Sequence, residues 1–255
     1  MRVTKVCLVG LAIAGAMLTG ETNPAFEVAT VKASGPETAT RRFLIEGRRF
    51  VTFHTSLADL VQFAYGLHPR QIADGPRWLT SAKFDVVGTT GGDGKPTEQE
   101  WMKMMANLLA DRFQLRFHLE KRELPVYAIE VDRNGPKLKL SDGDQNGFPS
   151  LGFRGRGELV ARNANLGDLA WELQSAVLDR PVVDRTGLTS RFNFTLAWTP
   201  DEFQSTAVSG GTGTADEVFP NLFTAIRQQL GLRLEATKAL VDVMSVENAD
   251  LPGRD

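Results

Sequence analysis

The chain has 255 residues, 42% of them hydrophobic and 24% charged, with a net charge of −2 at pH 7. That balance provides no basic surface for nucleic acid and leaves enough apolar residues for one or two ordinary cores. The single cysteine, Cys7, lies close to the N-terminus, so neither disulfides nor thiol chemistry holds or runs the rest of the chain.

Arg2 and Lys5 precede an apolar run from Val6 to Met17, and small and polar residues follow as far as Ala25. A positive flank, a short apolar stretch and a small-residue exit read as a secretory signal peptide over residues 1–25, too short to span a bilayer comfortably. Export to the periplasm or the extracellular space is expected, with no transmembrane segment in the mature chain. A strand-like run then occupies 26–31, and Phe50-Val51 marks another strand. Ser56-Leu57-Ala58-Asp59 has the form of a capped helix start, and that helix runs to Gly66, where a residue without a Cβ can take the left-handed stop. Thr97-Glu98-Gln99-Glu100 is a capping box, and Trp101, Met104, Met105, Leu108 and Leu109 follow at helical spacing, which predicts a helix over 98–112. Residues 115–119 and 126–131 alternate apolar and polar, and the charged link between them predicts a hairpin. Further on, strands are expected near 158–161, 192–198, 232–237 and 241–247, and helices near 166–177 and 220–230. Residues 88–96 and 205–217 are glycine-rich and read as mobile connections.

The strongest signal in the sequence is self-similarity. Leu79-Thr80-Ser81-Ala82-Lys83-Phe84-Asp85-Val86 returns, one residue shorter, as Leu188-Thr189-Ser190-Arg191-Phe192-Asn193-Phe194. Leu57-Ala58-Asp59-Leu60 returns as Leu166-Gly167-Asp168-Leu169, a shift of 109 (166 − 57), and Phe113-Gln114-Leu115 as Leu230-Gly231-Leu232, a shift of 117 (230 − 113). A shared order of elements with unequal spacers is what an old duplication leaves. The expected fold is therefore α+β in two tandem modules, 26–148 and 149–255, each a small, mostly antiparallel sheet covered by two helices.

Candidate chemistry is sparse. Asp184-Arg185-Thr186-Gly187-Leu188-Thr189 has the letters of the P-type ATPase phosphorylation motif, but the phosphate and magnesium ligands such an enzyme needs are missing, and the string reads as a turn before a strand. Asp142, Asp144, Asn146 and Gly147 match the opening of a calcium loop, yet Phe153 stands where a bidentate glutamate should close it. Ser209 to Thr214 lacks the ending of a phosphate loop. His54, His68 and His118 form no metal-binding pair, and no Gly-x-Ser-x-Gly elbow is present. Asp59 and Asp168 occupy matching positions in the two halves, where helix capping accounts for both. Trp78, Trp101, Trp171 and Trp198 with Tyr65 could line a groove or fill a core. Trp78, within Asp74-Gly75-Pro76-Arg77-Trp78, has no aromatic counterpart in the second half and leads the expected ligand or partner contacts: Trp78, Tyr65, Arg77, Asp184 and Arg185.

Taken together, residues 26–34, 60–67, 74–86, 108–131, 180–200 and 222–252 resemble a paralogous family of secreted proteins from soil bacteria, abundant in acidobacteria, that carries a domain of unknown function. Pro181-Val182-Val183-Asp184-Arg185-Thr186-Gly187-Leu188 with Trp198-Thr199-Pro200 is the most specific part of the likeness. The resemblance implies no activity and no cofactor. In element order the modules also resemble the short N-terminal domains of secretins and TonB-dependent receptors. The expected function is an exported, non-enzymatic protein that binds an unknown envelope protein or peptide through sheet edges or the groove between modules. A secreted hydrolase whose residues meet only in the fold, and an extracellular ligand sensor, stand as alternatives.

Overall fold

A computed structural model describes residues 24–35, 40–92, 94–144, 149–155, 157–201 and 219–253. Nearly all of the apolar leader, the connection 205–217, and Asn146 and Gly147 of the calcium-like string lie outside them. The described chain is mixed α+β, with mostly antiparallel strands in three four-stranded sheets.

In chain order the first half runs β1 (Val28–Ala33), β2 (Arg42–Glu46), β3 (Arg49–Thr55), α1 (Leu57–Tyr65), β4 (Ile72–Asp74), α2 (Trp78–Ser81), β5 (Phe84–Thr89), α3 (Glu98–Arg112) and β6 (Arg116–Val131). The second half runs β7 (Lys139–Leu140), β8 (Ser150–Gly155), β9 (Glu158–Ala164), α4 (Leu166–Ala176), β10 (Val182–Asp184), β11 (Phe192–Ala197), α5 (Leu222–Ala225) and β12 (Leu232–Asn248). The helix expected over 220–230 is split: α5 passes directly into a π-helical turn, Ile226–Leu230, which ends on Gly231 at φ 63°. A Cβ at Gly231 would be driven into the Gly135 carbonyl, so close approach as well as backbone shape requires glycine there.

The first sheet has the order β1-β5-β3-β2 and the third the order β7-β11-β9-β8. Their local devices also correspond. His54 and Asn163 both sit at φ 52°, and each donates its backbone N–H to a side chain on the neighbouring strand, Asp85 Oδ1 at 2.9 Å and Asn193 Oδ1 at 2.8 Å. Lys83 lies 3.7 Å from Asp59, and Arg191 lies 3.9 Å from Asp168. The three capping boxes form as expected, Ser56 with Asp59, Thr97 with Glu100 and Asn165 with Asp168.

Two expectations are corrected. The hairpin of 115–119 with 126–131 does not form, nor does its counterpart of 232–237 with 241–247. Each stretch is instead one unbroken strand, and β6 pairs with β12 along nearly its full length, from Leu232 opposite Val131 to Asn248 opposite Arg116. The intervening residues contain no turn-forming Gly or Asn-Gly, and their charges find partners across the ribbon: Lys121 with Asp242 at 2.9 Å and Lys238 with Glu123 at 3.3 Å. Pro125 fits inside β6 because Tyr127, two residues on, turns its N–H outward to Pro181 O at 2.9 Å. The Pro125 nitrogen therefore faces the same side, beyond the end of β10.

Besides one four-stranded sheet in each half, the ribbon also builds a sheet that the two halves share, in the order β10-β6-β12-β4. Ile72 to Asp74 add in parallel to Met244 to Val246, and Val182 to Asp184 add in parallel to Tyr127 to Ile129. Each half therefore hands a strand to the arm of the other. The cores show the same exchange: the first, around Phe50, Leu60, Met105 and Phe113, takes in Met244 and Val246, while the second, around Leu159, Leu169, Leu173 and Leu196, takes in Ile129. A small third cluster of Val126, Val241 and Val243 lies on the ribbon.

Candidate functional site

The end of α1, the first turns of α3, the helix α4 and the starts of β8 and β10 meet around a cleft of about 660 Å³, within the range of small-ligand sites. Gly66 closes α1 in the left-handed region at φ 66°, and the space its missing Cβ would fill lies 3.7 Å from Met102 Cε and 3.9 Å from Trp171 Cζ3. Gln174, buried on α4, ties the walls together. Its Nε2 donates to Gly66 O at 3.2 Å and its Oε1 accepts from the Val182 N–H at 3.0 Å. Met102, Leu151, Ala170, Trp171 and Val182 supply apolar lining.

The polar lining carries one sign of charge. Glu98 comes from the first turn of α3, Asp168 and Glu172 from successive turns of α4, and Asp184 from the end of β10; among the described residues no lysine, arginine or histidine lines the cleft. The Asn165 capping box holds Asp168 in place, with Oδ2 accepting from the Asn165 N–H at 2.8 Å, and Arg191 stands 3.9 Å away. Asp184 Oδ1 accepts from the Thr186 N–H at 2.9 Å and from the Thr186 hydroxyl at 2.7 Å, an Asx turn at the cleft rim. Glu172 is half-buried. Desolvation first, then the Glu98 and Asp168 charges, push its carboxyl up to about 7. Glu98 is pushed the same way by partial desolvation and the Asp168 charge, though it sits at the exposed rim. Among the described residues, no three His, Cys, Asp or Glu side chains are grouped to hold a metal ion.

The five residues singled out from sequence are not brought together. Asp184 lines the cleft. Arg185 is exposed beside it and donates its N–H to Ile129 O at 2.9 Å. Tyr65 packs edge-on to Phe117 at 5.0 Å, and burial pushes its phenol up. Trp78 opens α2, with its ring 6.4 Å from Phe84 at the margin of the first core, and Arg77 is exposed next to it. The histidines are scattered too. His118 Nδ1 is 2.8 Å from Glu247, His68 caps a 3₁₀ turn, and the His54 Nδ1 is buried with no hydrogen-bond partner among the described residues.

Glu98 and Glu172, which line the cleft, are not among the residues singled out from sequence. A signal for the second was present, since Asp168 and Glu172 are like charges four residues apart on one helix, an arrangement that costs stability and calls for a reason. Nothing local joins them to Glu98.

No helix among the described residues is long and apolar enough to cross a membrane. Residues 58–249 match a family described as a protein of unknown function, DUF3738. No curated protein and no solved structure matches the chain.

Proposed function

We propose that this chain, which belongs to the DUF3738 family, is an exported, non-enzymatic binding protein that takes a cationic organic group, an amine or the lysine or arginine side chain of a peptide, into the cleft beside α4. The observation that carries the reading is the lining itself: four carboxylates and, among the described residues, no basic side chain, set around the indole of Trp171 and apolar neighbours. An ammonium or guanidinium entering there exchanges water for carboxylates at low local dielectric and an aromatic face. Export rests on the leader, Arg2 to Ala25. We also read the two halves as copies of one ancestral unit. The matching strand orders, the paired φ angles of His54 and Asn163 and the matched ion pairs of Asp59 and Asp168 support that reading. The cleft would then have arisen where the copies meet.

One observation favours hydrolysis as a second reading: a glutamate titrating at about 7 is poised as a general acid or base, with Asp168 nearby. A single titration separates the two. Spermidine and a lysine-rich peptide should quench tryptophan fluorescence saturably and shift the Trp171 indole resonance, more strongly at about pH 8 than at about pH 6, because only ionised Glu172 attracts the cation. Glu172→Gln should weaken this binding roughly tenfold. Equal binding of an acidic peptide, or no saturable signal, removes the proposal, and turnover abolished by the same variant establishes the hydrolytic reading.

A further inference from the structure

β2 is the outer strand of the first sheet, and all five of its residues are exposed. Phe43, Leu44 and Ile45 are 38%, 40% and 50% exposed, an unusual amount of apolar side chain for an edge. Among the described strands β2 pairs with β3 alone, and it contains none of the proline, lysine or bulge devices that keep edges from pairing.

The turn before β3 determines which backbone groups are free. Gly47, at φ 62°, occupies the first central position of a two-residue turn, and Glu46 stands opposite Arg49 just outside it. In such a hairpin the flanking pair exchanges hydrogen bonds, so Arg42, Leu44 and Glu46 turn their N–H and C=O groups toward β3. The groups of Phe43 and Ile45 then point outward.

We propose that this edge is occupied by β2 of a second copy of the chain, antiparallel about a two-fold axis through Leu44, which joins two four-stranded sheets into one. The sequence of the strand selects this partner and this register. With Leu44 opposite Leu44, Arg42 of each copy faces Glu46 of the other, Phe43 faces Ile45, and the outward N–H and C=O groups of Phe43 meet those of Ile45 in hydrogen-bonded pairs. Slipping by two residues sets charges against leucine, and parallel alignment brings like charges side by side. The contact is isologous, so it closes at two copies. The other outer strand of this sheet, β1, reads Val-Ala-Thr-Val-Lys-Ala and has no such self-complementarity. β2 shares no residue with the acidic cleft, so this inference and the cation-binding reading stand or fall separately.

Sedimentation velocity of the full chain, from micromolar to millimolar concentration, tests it. A reversible monomer–dimer equilibrium is expected. Ile45→Pro removes an outward N–H without touching the β2–β3 ladder and should leave only monomer, with an unchanged near-ultraviolet spectrum. Arg42→Glu and Glu46→Arg should each weaken self-association roughly tenfold through like-charge pairs, and mixing the two variants should restore a dimer containing one of each. This mixing result decides the matter even if the proline variant does not fold. A chain that stays monomeric, a dimer indifferent to these substitutions, or assembly that grows past two copies overturns the proposal.

Discussion

Glu172 carries a penalty that its position on α4 explains. Its carboxyl ordinarily titrates at 4.5 and is held at about 7 in the fold by desolvation and by the Glu98 and Asp168 charges. The other charged groups facing the cleft are Asp184 and, through Asp168, Arg191. Between 4.5 and about 7 the folded state binds a proton that the unfolded chain has released, so stability falls as pH rises through that interval and is lowest, for this group, above it. The full shift is an upper bound, because Glu172 keeps contact with solvent. Glu172→Gln should therefore raise stability by about 1–2 kcal/mol at about pH 8 and change it little at about pH 4. Urea melts of the two proteins at both values check this, and a benefit independent of pH would mean that the charge is not the cause. A cationic ligand should also stabilise the unmutated chain above about pH 7, by an amount that grows with its concentration, since it lowers the cost of ionising the carboxyl.

At the scale of elements, the helices were legible because their signals are local. Ser56 with Asp59, Thr97 with Glu100 and Asn165 with Asp168 each satisfy orphan N–H groups within one turn, and the stripe of Trp101, Met104, Met105, Leu108 and Leu109 is buried as its spacing requires. Ser56→Ala and Asn165→Ala should each cost about 1 kcal/mol in thermal or urea denaturation. The two substitutions should add when combined, since they cap different helices packed in different cores. The strands were less legible. A charged interruption between two alternating runs looks the same whether the chain turns back or runs straight on, and the difference lies in a partner more than a hundred residues away, as in the pairing of Lys121 with Asp242. The cleft was hidden for a related reason: Glu98 and Glu172 belong to different halves, and the burial that perturbs Glu172 is made by packing.

The ribbon ties the whole molecule together. β6 leaves the first half to place Ile129 in the second core, β12 returns to place Met244 and Val246 in the first, and β4 and β10 each add to the arm that comes from the other half. Neither half can then complete its core from its own residues. Separately produced fragments 26–148 and 149–255 should each fail to show a cooperative unfolding transition, because each leaves an arm unpaired and exposes buried apolar surface. Mixed in equal amounts, they should recover the far-ultraviolet spectrum and a one-to-one complex, with a melting temperature that rises with concentration. Circular dichroism and light scattering on the fragments and their mixture measure this. A first fragment that melts cooperatively on its own would show that the borrowed strand ends are dispensable. The cleft, whose walls come from both halves, would then need only the second half to dock onto a finished first.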